Sequence, residues 1–77
     1  MATYSGHKNW NYWNVSLWIG NDEGLYRMAL QYIHHARSKD EAARAMVDGL
    51  ADAGITKTPD GARYTISAVR AAMVGLE

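Results

Sequence analysis

Most apolar stretches along this chain keep a helical interval, and one does not. Leu25, Ala29, Tyr32, Ile33 and Ala36 fall on one face at steps of three and four, flanked by Met28 and Tyr26. Arg27, Gln31, His34 and His35 gather opposite. This predicts an amphipathic helix whose apolar arc spans about half the circumference, wide enough for the central helix of a small fold. Asn21 or Asp22 is placed to cap its start, and Glu23 sits where the helix dipole favours an acid.

Ser38-Lys39-Asp40-Glu41 then reads as a capping box, with Ser38 accepting from the Glu41 amide and the Glu41 side chain reaching back. The helix it opens turns Ala42, Met46, Leu50 and Ala53 inward, with Ala43 and Val47 beside them, and shows Glu41, Arg44, Asp48 and Asp52 to solvent. Gly54 followed by Ile55 suits a Schellman close. Abundant alanine, and Gly49, allow a neighbouring helix to approach closely. In "ITKTPDGARYT", residues 55–65, two β-favouring stretches flank Pro-Asp-Gly, which predicts a short β-hairpin. Thr65 or Ser67 caps a last helix that buries Ile66, Val69, Ala72, Met73 and Leu76.

The exception is residues 9–19. Val15, Leu17 and Ile19 alternate with Asn14 and Ser16 as in a strand, yet helical spacing gathers Trp10, Trp13 and Leu17 on one side. A helix is the better reading, because Asn9 or Asn11 can cap it and Gly20 can end it. Such a helix is apolar nearly all round, so it is either buried on several sides or carries an exposed aromatic face. Residues 1–8 are small and polar and read as a tail. The expected fold is mainly α: one domain over residues 9–77, a bundle of about four helices with a hairpin near 55–65 before the last.

Composition narrows the function. A 77-residue chain without cysteine must hold itself together by packing alone, and its aromatic residues are the main supply. Formal net charge is zero, whereas a free-standing nucleic-acid binder generally carries a basic excess to neutralise phosphate. The start "MATYSGHKNW" lacks the apolar run of a signal peptide, and no window approaches the roughly 20 apolar residues of a membrane span. The expectation is a soluble protein of the host-cell cytoplasm with no membrane partner.

Reactive groups do not assemble. His34 and His35 are adjacent and point about 100° apart on a helix, so they cannot close on one metal, and no cysteine completes a set. No glycine elbow surrounds a serine, no Walker lysine is present, and capping accounts for the neighbouring acids Asp22 and Glu23. The expectation is a non-enzymatic protein with no catalytic residues, no metal and no cofactor. In the aromatic block, Trp13 and Leu17 are assigned to the core. Trp10, Tyr12 and Trp18 are assigned to a partner surface that Arg27 and Gln31 extend.

Two resemblances add to this. "YWNVSLWIGNDEGLY" resembles a pattern in small uncharacterised proteins of phages and other mobile elements, matched here by Trp13, Asn14, Val15, Leu17, Trp18, Ile19, Asn21 and Asp22. Small phage proteins without enzymatic residues often act against host defences, including as anti-CRISPR proteins. This implies an inhibitor that binds a host defence complex, such as a CRISPR effector subunit, and blocks target-DNA binding or assembly. Glu41, Asp48 and Asp52 would then form a stripe that occupies a groove meant for phosphates. The second half is similar to the DNA-binding segment of large serine recombinases at Leu50, Gly54, Ile55, Thr58, Gly61, Tyr64, Thr65, Val69 and Arg70. That resemblance implies the alternative, a small DNA-binding regulator or recombination accessory protein contacting DNA through Lys57, Arg63 and Arg70. Asp60 departs from it, standing in a turn that is often basic in recombinases. An exposed apolar patch also makes a homodimer an expected association.

Overall fold

In a computed structural model of the chain, residues 9–76 are described and form α1 (Trp10–Asn21), α2 (Glu23–His35), α3 (Lys39–Asp52) and α4 (Ile66–Leu76). The tail expected over residues 1–8, and Glu77, lie outside the described residues. The ambiguous segment is a helix. The Asn9 side chain caps it by accepting from the Tyr12 amide at 3.0 Å, and the helix continues through Gly20 to Asn21. Asp22 then serves two helices at once. Its N–H donates to the Trp18 carbonyl to close α1, and its carboxylate accepts from the Leu25 amide at 3.0 Å to open α2.

The core draws Val15 and Ile19 from α1, Ala42, Ala43, Met46 and Leu50 from α3, and Ala68, Val69, Ala72 and Met73 from α4. The helix expected at the centre, α2, buries only Ala29 fully; Leu25, Met28, Tyr32, Ile33 and Ala36 cover the core from its edge. The central position belongs to α4, which packs chiefly on α1 and α3. With Arg70 its sole charge and alanines at 68 and 72, α4 can lie close to both neighbours. The width of an apolar arc marked which face of α2 turns inward but not how deeply the helix sits. Three further expectations are corrected: Leu17, Ala53 and Ile66 are exposed.

Caps and close approaches follow their chemistry. Ser38 Oγ accepts from the Glu41 amide at 3.2 Å, while Glu41 Oε1 accepts from the Arg37 amide, one residue before the position that a capping box uses. Gly54, at φ 79°, and Ile55 complete a Schellman motif, with Gly54 N–H on the Ala51 carbonyl and Ile55 N–H on that of Leu50. Gly49 lets α2 approach α3: a Cβ there would stand 2.5 Å from the Tyr32 hydroxyl. Thr65 Oγ1 accepts from the Ala68 amide at 3.1 Å and caps α4.

The expected β-hairpin is not formed, and the described residues include no strand. Residues 55–65 hold one antiparallel bridge, Lys57 with Arg63, around the turn Thr58-Pro59-Asp60-Gly61. Gly61 takes the left-handed backbone that the turn requires, φ 95°. The ladder stays short because the close of α3 at Gly54-Ile55 and the cap of α4 at Thr65 each stand two residues from the bridge. The Asn11 side chain donates to the Arg63 carbonyl at 3.0 Å and accepts from the Arg63 amide at 2.9 Å, occupying the backbone groups that a further strand would use.

Candidate partner-binding cleft

A polar clamp joins α1 to the turn after α3. Asn11, Asn14 and Trp18 stand at i, i+3 and i+7, so they share one face of α1. Asn14 Nδ2 and Trp18 Nε1 both donate to Asp60 Oδ2 at 2.9 Å. The Thr58 hydroxyl donates to Asn14 Oδ1 at 2.6 Å and accepts from the Ala62 amide at 3.0 Å. Asn14 is only 1% exposed, and every one of its polar atoms in this network has a partner. The hydrogen bonds from Asn14 and then Trp18 favour the ionised Asp60, holding its carboxyl below the usual 3.8 against a small opposing effect of desolvation.

The clamp shapes a cleft. Trp18, held by Asp60, forms one wall together with Asp22 from the α1–α2 joint. Leu25 and Met28 of α2, Leu50 of α3 and Ala53 just after it, then Ile55, Pro59 and Tyr64 complete an open and largely apolar depression of about 550 Å³. Gly24 and Gly49 also line it. Tyr64 separates this cleft from a smaller one of about 210 Å³ beside Val47, Ala51 and Arg63. Burial raises the Tyr64 phenol above its usual 10.0, and the nearby Asp22 carboxylate adds to the rise.

The residues expected at a site are dispersed. Trp18 lines the cleft, whereas Trp10 stands exposed two turns away on α1 and Tyr12 packs partly against the core. Arg27 and Gln31 share the solvent side of α2, where Arg27 pairs with Glu23 at 3.1 Å. Asp48 and Asp52 are exposed on α3, and Glu41 is engaged at its start. Of the basic residues, Lys57 and Arg63 meet across the bridge, while Arg70 is paired with Asp40 on α3. His34 and His35 are exposed, and no three His, Cys, Asp or Glu groups among the described residues come together as a metal site.

Sequence reasoning missed the clamp residues Asn11, Asn14, Thr58 and Asp60, and most of the cleft. Asn11 and Asn14 mark a polar stripe on an otherwise apolar helix, but their partners Thr58, Asp60 and Arg63 lie more than forty positions away and leave no local signal. The cleft left no local signal either, because Leu25 and Met28 read as ordinary core positions and Ile55 and Tyr64 as parts of a helix close and a hairpin.

Residues 1–75 match a family of unknown function, DUF7249, and the chain belongs to that family. No curated protein and no solved structure matches it.

Proposed function

We propose that this protein is a non-enzymatic binding domain that acts by capturing a protein partner in the cleft beside Trp18. The observation that carries the reading is the cleft itself, an apolar depression of about 550 Å³ walled by Trp18, Met28, Ile55 and Pro59. Aromatic and methionine walls are favoured at protein interfaces, the first as anchors and the second as adaptable surface. The polar network of Asn14, Thr58 and Asp60 is consumed in holding the fold, which supports binding over catalysis. The resemblance to small mobile-element proteins supplies the biological setting: the partner is a host defence complex, a CRISPR effector subunit among the candidates, and capture inhibits it.

The DNA-binding alternative draws on the Lys57–Arg63 pair, but Arg70 is matched to Asp40 and the formal net charge is zero. The deciding experiment compares the wild-type chain with Ile55→Asp, a charge placed in the open cleft. Each is used to purify partners from cells carrying an active defence system, and each is expressed during phage challenge. The expected result is one stoichiometric protein partner and increased plating, both lost with the variant. Recovery of nuclease-sensitive nucleic acid alone, with no effect on plating, would sink the reading.

A further inference from the structure

The bridge beside the cleft carries an electrostatic cost that packing does not explain. Thr58 N–H to the Ala62 carbonyl and Tyr64 N–H to the Thr56 carbonyl flank Lys57 and Arg63, making these two a non-hydrogen-bonded antiparallel pair. Side chains of such pairs stand on one face at their closest spacing, and like charges placed so repel. Both residues are exposed, and among the described residues neither side chain makes an ion pair or hydrogen bond. Lys57 lines the larger cleft and Arg63 the smaller, with Ile55 and Tyr64 shared between the two.

The neighbouring acids are not paired with these cations. Asp60 accepts from Asn14 and Trp18, Asp22 accepts from the Leu25 amide, and among the described residues neither acid forms an ion pair with Lys57 or Arg63. An apolar cleft therefore adjoins two cations that have no side-chain partner among the described residues. We infer that the cleft accepts a peptide segment of the partner that pairs an apolar anchor with acidic residues, the anchor entering beside Trp18 and Ile55 and the carboxylates meeting Lys57 and Arg63. This rests on the protein-binding reading above and specifies the chemistry of what is bound.

The test is selection of a random dodecapeptide display library on the immobilised full chain. Enriched sequences are expected to carry leucine, phenylalanine or tryptophan within about one helical turn of aspartate or glutamate. Binding of a selected synthetic peptide, followed by fluorescence anisotropy, should weaken about tenfold in Lys57→Gln/Arg63→Gln at low salt and lose most of its salt dependence. The Trp18 indole N–H and the Lys57 amide should shift in a nitrogen-edited NMR titration. Both substituted side chains are exposed, and an unchanged melting temperature confirms that the fold survives.

Three outcomes overturn the inference: no enrichment, enriched sequences without acidic residues, or affinity that the double variant leaves unmoved. A duplex oligonucleotide held by Lys57 and Arg63 more tightly than any peptide overturns it as well. The wider reading is separable from these. A protein partner captured through Trp10 and the outer face of α1 refutes the acidic-segment proposal while leaving protein binding intact.

Discussion

The two sides of this bundle are held by different physics. Where α1 meets the turn at 58–63, the join is directional: Asn11, Asn14 and Trp18 reach across on hydrogen bonds between 2.9 and 3.0 Å. Where α2 meets α3, the join is steric, with Gly49 admitting the Tyr32 hydroxyl into space that any Cβ would fill. The polar join fixes register, because each donor has one acceptor. The steric join fixes the distance between the helices. The cleft lies where both meet, lined by Trp18 of the first and Gly49 of the second.

The contrast can be broken from either side. Ile19→Ala removes a fully buried side chain from the apolar face of α1 and should cost about 2–5 kcal/mol, read from urea unfolding. Asn14→Ala should cost about 1–3 kcal/mol, since it leaves the buried Thr58 hydroxyl without its acceptor. A double-mutant cycle with Thr58→Val should then show coupling between the two positions, and strict additivity would mean the clamp does not act as one unit. Gly49→Ala gains helix propensity but meets Tyr32. It should destabilise the wild type yet become stabilising by about 0.5–1 kcal/mol when combined with Tyr32→Phe. Trp10→Ala, at a ring 40% exposed, should change stability by less than about 0.5 kcal/mol.

Acid sharpens the same comparison. The folded pKa of Asp60 lies below its unfolded value, so its contribution is present above the unfolded value and is lost as pH falls through the folded one. The Trp18 fluorescence change on acidification should therefore fall below the ordinary carboxylate range. In Asn14→Ala, which removes the larger of the two stabilising hydrogen bonds, its midpoint should move up. A midpoint indifferent to Asn14 would show that Asp60 does not hold the indole.

Periodicity made the helices, their caps and the close approach at Gly49 legible in the sequence. Asn9, Asp22, Ser38 and Thr65 each cap a helix for the reason that their side chains suggest. What could not be read was which way α1 faces. Hydropathy ranks leucine and tryptophan for the interior and asparagine for the surface, yet Leu17 is 37% exposed while Asn14 is enclosed. The inversion depends on Asp60 and Thr58, more than forty positions away along the chain, and no local pattern contains that information. The stretch "YWNVSLWIGNDEGLY" gains a physical account from it. Asn14, Val15 and Ile19 serve as clamp or core contacts, so those positions build the domain, while Trp18 and Asp22 both hold the structure and line the cleft. Of the candidate site, only Trp18 and Lys57 had been marked in advance, because a cleft is made by residues that no single helix brings together.

Asp22, shared between consecutive helices, leaves no slack at that corner. One residue added or removed there would rotate α2 by about 100° about its own axis and swing Leu25 and Met28 away from Trp18. Length variation among relatives of this protein should therefore collect at 36–38 and 53–57 and spare the α1–α2 elbow, whose indivisibility makes the first two helices a single inherited part.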